Sequence, residues 1–364
     1  MYGRARSESQ EILGKIDVWP ACRDGAIPVG EQGKTSPGVC GMTLDSTPST
    51  PGDQSGFIAR LLELGRPRRE RLPVVAPRPQ PMPSVGKGAR RSLADINPPP
   101  LPEAYLALRR AAENPMSTVA EVASVVSLDP SLAAYVLRLA NSPLFTPAGR
   151  VETVSRAVGL IGLTEIVNLA AGAVLTRLFD KPPRPDLLSL PDFWRHAVAV
   201  GLLSRAVARR RDAVGSERFF VAGLLHDMGR LVLAVAEPDL AGAALARAVD
   251  TGISLAGAER LEFDFDHAAL GGRICGKWLL PQSLIEGVAG HHNPSLAPDS
   301  VVAAAVHVAD FMANALGVRA VPTAGLPLLD PKTLAVFNLA EADPAEFEAL
   351  LDEGLSAMAA LFAA

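Results

Sequence analysis

The chain has 364 residues, of which 48% are hydrophobic and only 5% aromatic, and its formal net charge is −4. The core must consist mainly of Ala, Leu and Val, a mixture that favours helices. The three cysteines form no CxxC pair, which argues against a zinc knuckle and a disulfide framework. Because the N-terminus lacks a signal peptide and no charge-free apolar run reaches about 18 residues, we expect a cytoplasmic protein without a membrane span.

Residues 1–92 differ in composition from the rest of the chain. They carry 14 Lys and Arg against 9 Asp and Glu, whereas the remaining residues carry 21 against 30. The proline and charge content predicts a basic, largely disordered tail. The tail lacks the interleaved aromatic residues of nucleic-acid binders, which argues against nucleic acid as a partner. Residues 56–65 have apolar positions at helical spacing, which leaves open a short helix docked on the body.

From residue 93 onwards, the chain shows a succession of amphipathic helices. Thr118 and Glu121 form the pattern of a capping box, and Asp129 followed by Pro130 marks the start of another helix. No alternating pattern typical of strands competes with these signals. Asn141, in the run LANSPLF, is predicted to end the second of these helices and to cap its backbone rather than to bind a ligand.

These signals predict an all-α fold preceded by the disordered tail of residues 1–92. An N-terminal helical subdomain is expected at residues 93–182. A proline-rich break then separates it from a second helical subdomain at residues 190–300. Residues 301–364 are expected to add helices that complete the second subdomain.

All six histidines lie within residues 196–307, where they form an ordered series with two aspartates. Imidazole nitrogens and carboxylate oxygens are the groups that Zn, Mn and Fe accept as ligands. His196 shares one helical stripe with Val200 and Leu203, so its side chain is expected to face the core. The series therefore indicates a metal site, and a hydrogen-bonded polar cluster without an ion is the alternative.

The doublet of His226 and Asp227 lies within residues 216–236, which the sequence predicts as one continuous helix. Neighbouring residues of a helix point about 100° apart. Both side chains can therefore reach one ion only if it lies against the helix side or near a helix end. Gly223 and Gly229 flank the doublet and would permit the close approach of another segment.

Residues from about 93 to 320 resemble the HDOD domain, a relative of the HD-type metal phosphohydrolases that occurs mainly in bacterial signalling proteins. The resemblance rests on the runs NPPPLPEAYLAL, SLDPSLAAYVLRLANSPLF, VSRAVGLIGLTEI, FWRHAVAVGLLSRAVA, VAGLLHDMGRLVL, FDFDHAALGGRICGKWLLPQSLIEGVAGHHNP and VHVAD. It implies an N-terminal helical subdomain packed on an HD-like helical subdomain, with the HDOD domain itself at residues 93–300.

The resemblance also implies a set of metal ligands. Proteins of the HD superfamily hold one ion with an early His, a His-Asp doublet and a late Asp, and the HD-GYP relatives, which hydrolyse cyclic di-GMP, add a middle His and a His-His pair. The matching residues are His196, His226, Asp227 and Asp310 for the first ion and His267, His291 and His292 for the second. One or two ions of Fe, Mn or Zn would suit such ligands, and His307 is expected to lie outside the set.

Three departures argue against the transfer of catalysis from these relatives. Arg230 stands where catalytic relatives typically carry a lysine, and the two residues are not interchangeable. The His-His pair is followed by Asn-Pro-Ser-Leu instead of a GYP signature, and only 17 residues separate His292 from Asp310.

The sequence therefore predicts a bacterial signal-transduction module. It is expected to act through protein partners, with a metal or a nucleotide as a further ligand. The alternative is a metal-dependent phosphohydrolase or phosphodiesterase with a mononuclear or dinuclear His/Asp site. A nucleic-acid-binding protein that uses the basic tail is a third interpretation. Fold and ligands alone do not decide between them.

Overall fold

The structure is a computed structural model, which describes residues 54–71, 93–97, 100–142, 145, 149–178, 187–211, 217–298, 300–321 and 326–362. Every regular element within these ranges is a helix, which confirms the predicted all-α fold. The predicted break near residues 181–190 lies mostly outside the described residues, as does most of the predicted tail.

The described part of the N-terminal subdomain contains five α-helices, and the signals read from the sequence explain where several of them begin. Thr118 and Glu121 form the predicted capping box, and the Asp129 carboxylate accepts hydrogen bonds from two backbone amides. A 3₁₀ turn at Leu93–Asp95 precedes the five helices. They are α2 (Glu103–Glu113), α3 (Val119–Ser127), α4 (Pro130–Ala140), α5 (Val154–Ile161) and α6 (Leu163–Leu178).

The second subdomain is built on a pair of long, buried helices that carry the ends of the histidine series. The helices are α7 (Leu190–Arg209), α8 (Glu217–Leu225), α9 (Met228–Ala236), α10 (Pro238–Thr251), α11 (Leu255–Phe263), α12 (His267–Lys277), α13 (Gln282–Gly290), α14 (Val301–Ala315), α15 (Pro331–Val336) and α16 (Pro344–Phe362). Short 3₁₀ turns lie at Pro294–Leu296 and Leu339–Glu341. Both α7 and α14 are buried over most of their length, so they form the centre of the subdomain.

Glycine permits α7 and α8 to approach each other at backbone distance. A Cβ atom on Gly223 would lie 2.7 Å from the Gly201 Cα and 2.7 Å from the Val200 carbonyl oxygen. A Cβ atom on Gly201 would lie 2.8 Å from the Phe220 carbonyl oxygen. No larger residue fits either position without moving one helix, and this close packing fixes the spacing between His196 and the His226–Asp227 doublet.

The predicted continuous helix over residues 216–236 is wrong in one detail. The helix ends at Leu225 and a new helix starts at Met228, so the doublet of His226 and Asp227 lies in the turn between α8 and α9. The turn removes the constraint of about 100° between neighbouring helical residues. In this turn the His226 Nε2 and the Asp227 Oδ2 lie 3.3 Å apart, close enough to reach one ion.

Part of the predicted disordered tail is an ordered helix. Residues Gln54–Arg71 form α1, and Phe57, Ile58, Leu61 and Leu62 are all buried. The phenyl rings of Phe57 and Phe347 meet edge to face with centroids 6.3 Å apart. The docked helix that the apolar spacing left open is thus present, because burial against α14 and α16 supplies the stability that so short a helix lacks alone. The ordered body therefore includes residues N-terminal to the predicted boundary at residue 93.

One stretch, Glu217–Ala236, is apolar and long enough to cross a membrane by length and composition. Within the described part of the chain, the bent pair of Val154–Ile161 and Glu165–Gly172 is a further candidate on the same criteria. The first stretch is the α8–α9 pair, and 83% of its apolar window is buried inside the protein. This stretch therefore belongs to the hydrophobic core of the second subdomain.

Asn141 ties the end of α4 to the start of the next segment. Its side-chain amide donates to the carbonyl oxygens of Leu137 and Val151, each at 2.8 Å, and its Oδ1 accepts from the Val151 amide at 2.8 Å.

We predict that Asn141→Ala lowers the free energy of unfolding by about 2 kcal/mol, because three hydrogen bonds are lost at a partly solvated site. Thermal denaturation tests this, with Asn114→Ala as a control that removes a single loop hydrogen bond. An unchanged melting temperature would contradict the structural role of Asn141.

Candidate metal centre

The structure brings the seven predicted metal ligands together from five places in the second subdomain. His196 comes from α7, the doublet from the α8–α9 turn, His267 from the first position of α12, the His-His pair from the residues directly after α13, and Asp310 from α14. Six of the seven are buried, and His292 is largely buried, with 10% of its side chain exposed. The candidate ligands therefore form one cluster in the protein interior.

One half of the cluster surrounds the Oδ2 atom of Asp227. The Nε2 atoms of His226 and His196 lie 3.3 Å and 3.8 Å from this oxygen. The same two nitrogens lie 3.9 Å and 3.2 Å from Oδ1 of Asp310. Four groups from three segments therefore face one point, as the HD-type ligand pattern requires.

The other half of the cluster surrounds the Oδ1 atom of Asp227. The Nε2 atoms of His267 and His291 lie 3.1 Å and 3.8 Å from it. The His292 ring completes this half, with its Nε2 atom 2.8 Å from the His267 Nε2. His267, His291 and His292 offer ligand atoms within 4.8 Å of one another. Asp227 is thus the residue that joins the two halves, one oxygen to each.

Three imidazoles are oriented by backbone carbonyls. The Nδ1 atoms of His196, His226 and His291 lie 2.9, 2.6 and 2.7 Å from carbonyl oxygens. A carbonyl oxygen only accepts, so each Nδ1 carries the proton and each Nε2 presents a lone pair to the cluster. Such fixing of the tautomer from behind is characteristic of metal-ligating histidines. The three carbonyls belong to Val318, Gly223 and Val288.

The cluster contains buried polar atoms that make no well-aligned hydrogen bond within the protein. The Nε2 atoms of His226 and His291 and both carboxylate oxygens of Asp227 are buried and have no well-aligned hydrogen-bond donor. Leaving several such groups unsatisfied in one interior site is costly. Divalent ions in the two halves of the cluster would accept these atoms, and nitrogen ligands with carboxylates suit Mn, Fe or Zn. The residues present therefore fit a metal centre.

Three of the candidate ligands have charge states that suit ligation, whereas the Glu259 carboxylate, acting against burial, raises the pKa of His267 to about 9. Burial opposes ionisation of Asp227, but the Arg230 guanidinium and the His226 imidazole hold its pKa well below the usual value. Burial likewise opposes ionisation of Asp310, yet the adjacent imidazoles of His196 and His226 lower its pKa to about 2. Burial and the neighbouring imidazoles of His226 and His267 lower the pKa of His291 to about 3. Ionised carboxylates and a neutral imidazole are the forms in which these groups bind metals.

His307 lies outside the ligand set, as predicted, because both ring nitrogens are already used. Its Nδ1 donates to the His291 carbonyl at 2.7 Å. Its Nε2 accepts from the Asp330 amide at 2.9 Å. His307 therefore links the segment carrying the His-His pair to the loop before α15.

A small, partly open cavity of about 30 Å³ adjoins the cluster. Its described lining includes Arg230, His292, Asp310 and Asn314. A water molecule needs roughly 10–15 Å³ by this measure, so the space holds about two waters. Small-molecule sites are typically about 300–1,000 Å³, so the cavity in this conformation is too small for a nucleotide.

The order of the ligands and the helical fold point to one family, and a comparison with family models decides it. Residues 99–294 match the HDOD domain, which is more than half of the chain. The chain belongs to the HDOD domain family. The match ends before Asp310, so the last candidate ligand of this HDOD protein lies C-terminal to the matched range.

The chain is also similar to a known protein. A Treponema pallidum protein of uncharacterised function is 29% identical over 209 residues, covering 55% of this chain and 39% of that protein. The HDOD chain therefore spans about two fifths of the length of that relative, and the activity of the whole relative is not transferred.

Several solved structures are similar to this HDOD chain. A Marinobacter aquaeolei protein, provisionally named a signal transduction protein, aligns with a TM-score of 0.58 at 23% identity, covering 86% of this chain and 69% of its own. A Geobacter sulfurreducens HDOD domain protein of unknown function aligns at 0.57 and 22%, covering 74% and 93%. At these identities both show the fold alone. A Shewanella amazonensis protein, provisionally named a phosphohydrolase, aligns at 0.51 and 25%, covering 70% and 94%.

Sequence reasoning missed two charged residues of the site. Glu259, on α11, is buried, and its Oε2 accepts from the backbone amide of His267 at 2.8 Å and lies 2.5 Å from the His267 Nδ1. Arg230 was noted only as a departure from lysine, yet its Nη1 lies 2.8 Å from Oδ2 of Asp227. An acidic residue eight positions before a candidate ligand gave no periodic signal, because α11 is capped by Asp264, which has a φ of +65°, before α12 begins.

Glu259 should control how well His267 holds a metal. We predict that Glu259→Gln weakens binding of Zn²⁺ by about 10–100-fold, the usual effect of losing a partner that orients a ligand histidine. Competition with a fluorescent chelator measures the affinity. Glu262→Gln is the matched control, because Glu262 lies on the same helix and pairs with Arg247, which is 44% exposed. Equal affinities for the two variants would mean that His267 is not a ligand.

Proposed function

We propose that this chain is a metal-binding regulatory HDOD module of a bacterial signalling pathway, which acts through protein partners rather than by hydrolysis. One observation carries the proposal. The other six candidate ligands cluster around Asp227, and three of the imidazoles present a lone pair to the cluster, but the adjoining space has a volume of only about 30 Å³. Such a centre suits the holding of an ion more than the processing of a nucleotide.

A bound ion would have a defined place among the residues of the chain. His196, His226, Asp227 and Asp310 would hold one ion, and His267, His291, His292 and the second oxygen of Asp227 would hold another. The metal would supply positive charge that neutralises the two carboxylates and cross-links segments that are distant in the sequence. The signalling output in this proposal is the stability and packing of the second subdomain, on which the N-terminal subdomain rests.

Arg230 supports the regulatory interpretation. Its guanidinium pairs with Asp227 at 2.8 Å and lines the adjoining cavity. In this position it would meet any phosphate that entered the cavity. An arginine keeps its charge and its fixed set of donors, whereas a lysine is a compact and mobile point charge. The ion pair therefore favours a closed site.

A metal-dependent phosphohydrolase is the second candidate function. It is favoured by the retention of most of a ligand set for two ions, which in enzymes activate water and neutralise phosphate oxygens. The likeness to the Shewanella protein, at 25% identity, points in the same direction. Under this alternative, Arg230 would have to swing away from Asp227 and bind the substrate phosphate instead.

Turnover of a phosphodiester separates the two candidates. The protein loaded with Mn²⁺ is incubated with bis(4-nitrophenyl) phosphate or with cyclic di-GMP, and Asp227→Ala is the background control. The regulatory proposal predicts equal rates for the two proteins, together with slower hydrogen exchange in α7 and α14 when Mn²⁺ is added. A rate for the loaded protein well above that of Asp227→Ala would establish the enzyme and overturn the regulatory proposal.

A further inference from the structure

Helix α1 is fixed to the rest of the protein along its length. Near its start, Phe57 packs on Phe347 of α16, and the Arg60 guanidinium donates to the Ala342 carbonyl at 3.1 Å. Near its end, the Arg68 guanidinium lies 3.1 Å from Glu348 and 2.6 Å from Asp352. The helix is therefore docked by an apolar face and anchored by charge at its C-terminal half.

Between these anchors, α1 touches the C-terminal end of α14 at backbone distance. A Cβ atom on Gly65 would lie 2.0 Å from the Ala315 carbonyl oxygen and 2.7 Å from the Leu316 Cα. Real Cβ atoms do not come this close to backbone atoms, so only glycine permits the contact. Any larger residue at position 65 would lift α1 or displace the end of α14.

The end of α14 is the turn that orients two candidate metal ligands. Gly317 has a φ of +80° and ends the helix, and the Val318 amide donates back to the Ala313 carbonyl at 2.9 Å. The Val318 carbonyl then accepts from the His196 Nδ1 at 2.9 Å. One turn earlier, the Asn314 amide donates to Oδ1 of Asp310 at 2.8 Å.

We propose that α1 is a positioning clamp for the metal centre, with Gly65 as its contact residue. Docked α1 holds residues 314–318 in the conformation that aims the His196 Nε2 and the Asp310 carboxylate into the cluster. Release of α1 frees this turn, so the affinity for metal depends on the state of a segment that lies more than 120 residues before the first ligand. The proposal rests on the metal centre proposed above.

Through the clamp, binding of a partner to the N-terminal region can change the affinity of the metal centre for its ion. A partner that binds α1, or the residues on either side of it, competes with docking and weakens the two ligands held by the 314–318 turn. By linkage, a bound ion favours docked α1 by the same free energy. The partner that binds the N-terminal region and the ion at the metal centre thus both act on the docking of α1.

A pair of glycine substitutions in α1 tests the clamp in the full chain. Gly65→Ala places a methyl group against the Ala315 carbonyl, whereas Gly56→Ala, in the same helix, places one 3.8 Å from the flexible Arg60 side chain. Both changes favour helix formation to the same extent, so their difference isolates docking. Relative to Gly56→Ala, we expect Gly65→Ala to speed hydrogen exchange in α1 and to weaken Zn²⁺ binding by at least about tenfold.

Further measurements cover the other outcomes. If Gly65→Ala fails to fold, Arg68→Ala replaces it, with a smaller loss of Zn²⁺ affinity expected. Faster exchange in α1 with unchanged Zn²⁺ affinity overturns the clamp and leaves the proposed metal centre intact. If the unsubstituted protein binds no Zn²⁺, the proposed function fails, and the exchange rate of the His196 Nδ1 proton decides the clamp instead. A faster rate in Gly65→Ala than in Gly56→Ala supports it, and equal rates overturn it.

Discussion

Asp227→Ala should abolish metal binding by the whole cluster. Asp227 is the residue that faces both halves, with Oδ2 towards His226 and Oδ1 towards His267. Its removal takes one ligand from each half at once. The substitution also leaves the Arg230 guanidinium, which is 14% exposed on its side chain, without its carboxylate partner. Removing one member of a buried ion pair typically costs about 3–5 kcal/mol, so the metal-free variant should also be less stable.

Two measurements separate these effects in Asp227→Ala. Elemental analysis is expected to find no Mn, Fe or Zn in the variant, and addition of Zn²⁺ should no longer raise its melting temperature. His307→Gln is the control, because His307 is buried nearby but uses both nitrogens for the fold. This control should lose stability and keep its metal. A full complement of metal in Asp227→Ala would remove this residue from the ligand set.

Gly223→Ala should lower the free energy of unfolding of the second subdomain by more than a substitution on the surface. The added methyl group would lie 2.7 Å from the Gly201 Cα, so α7 and α8 must move apart. Overpacking of this kind costs about 3 kcal/mol, which lowers the melting temperature by about 6–12 °C. The Gly223 carbonyl also accepts from the His226 Nδ1 at 2.6 Å, so the displacement should weaken metal binding as well.

Gly159→Ala is the matched control for this change. Gly159 lies in α5, and a Cβ atom there would meet no atom within 4 Å. The substitution should leave stability unchanged or raise it by up to about 1 kcal/mol, because alanine favours helix more than glycine. Similar melting temperatures for Gly223→Ala and Gly159→Ala would show that the α7–α8 spacing adapts, which contradicts a rigid frame for the cluster.

The local chemistry of the helices could be predicted from the sequence. The Thr118 capping box, the Asp129 cap and the burial of His196 follow from interactions within a few residues, and the structure confirms all three. The convergence of the candidate ligands was also predictable, since the family resemblance and the amphipathic pattern both place them on faces that must bury. These features depend on short-range rules or on a shared ancestry.

The remaining features depend on contacts that no local pattern encodes. The turn at His226 and Asp227 interrupts a stretch whose apolar pattern continues through it, so periodicity alone predicts one helix. The docking of α1 needs Gly65 to meet the end of α14, about 250 residues further along the chain. The contact of Glu259 with His267 likewise joins two different helices, α11 and α12, across the break between them.

The metal content of the protein purified without a chelator is the most direct test of the central claim. We predict one or two equivalents of Mn, Fe or Zn per chain, removable by chelation with a loss of thermal stability, and restored by adding back the ion. The contradictory result is a folded chain that contains no metal and takes up no Mn²⁺, Fe²⁺ or Zn²⁺ on titration. The seven residues would then be a hydrogen-bonded polar cluster of the HDOD fold.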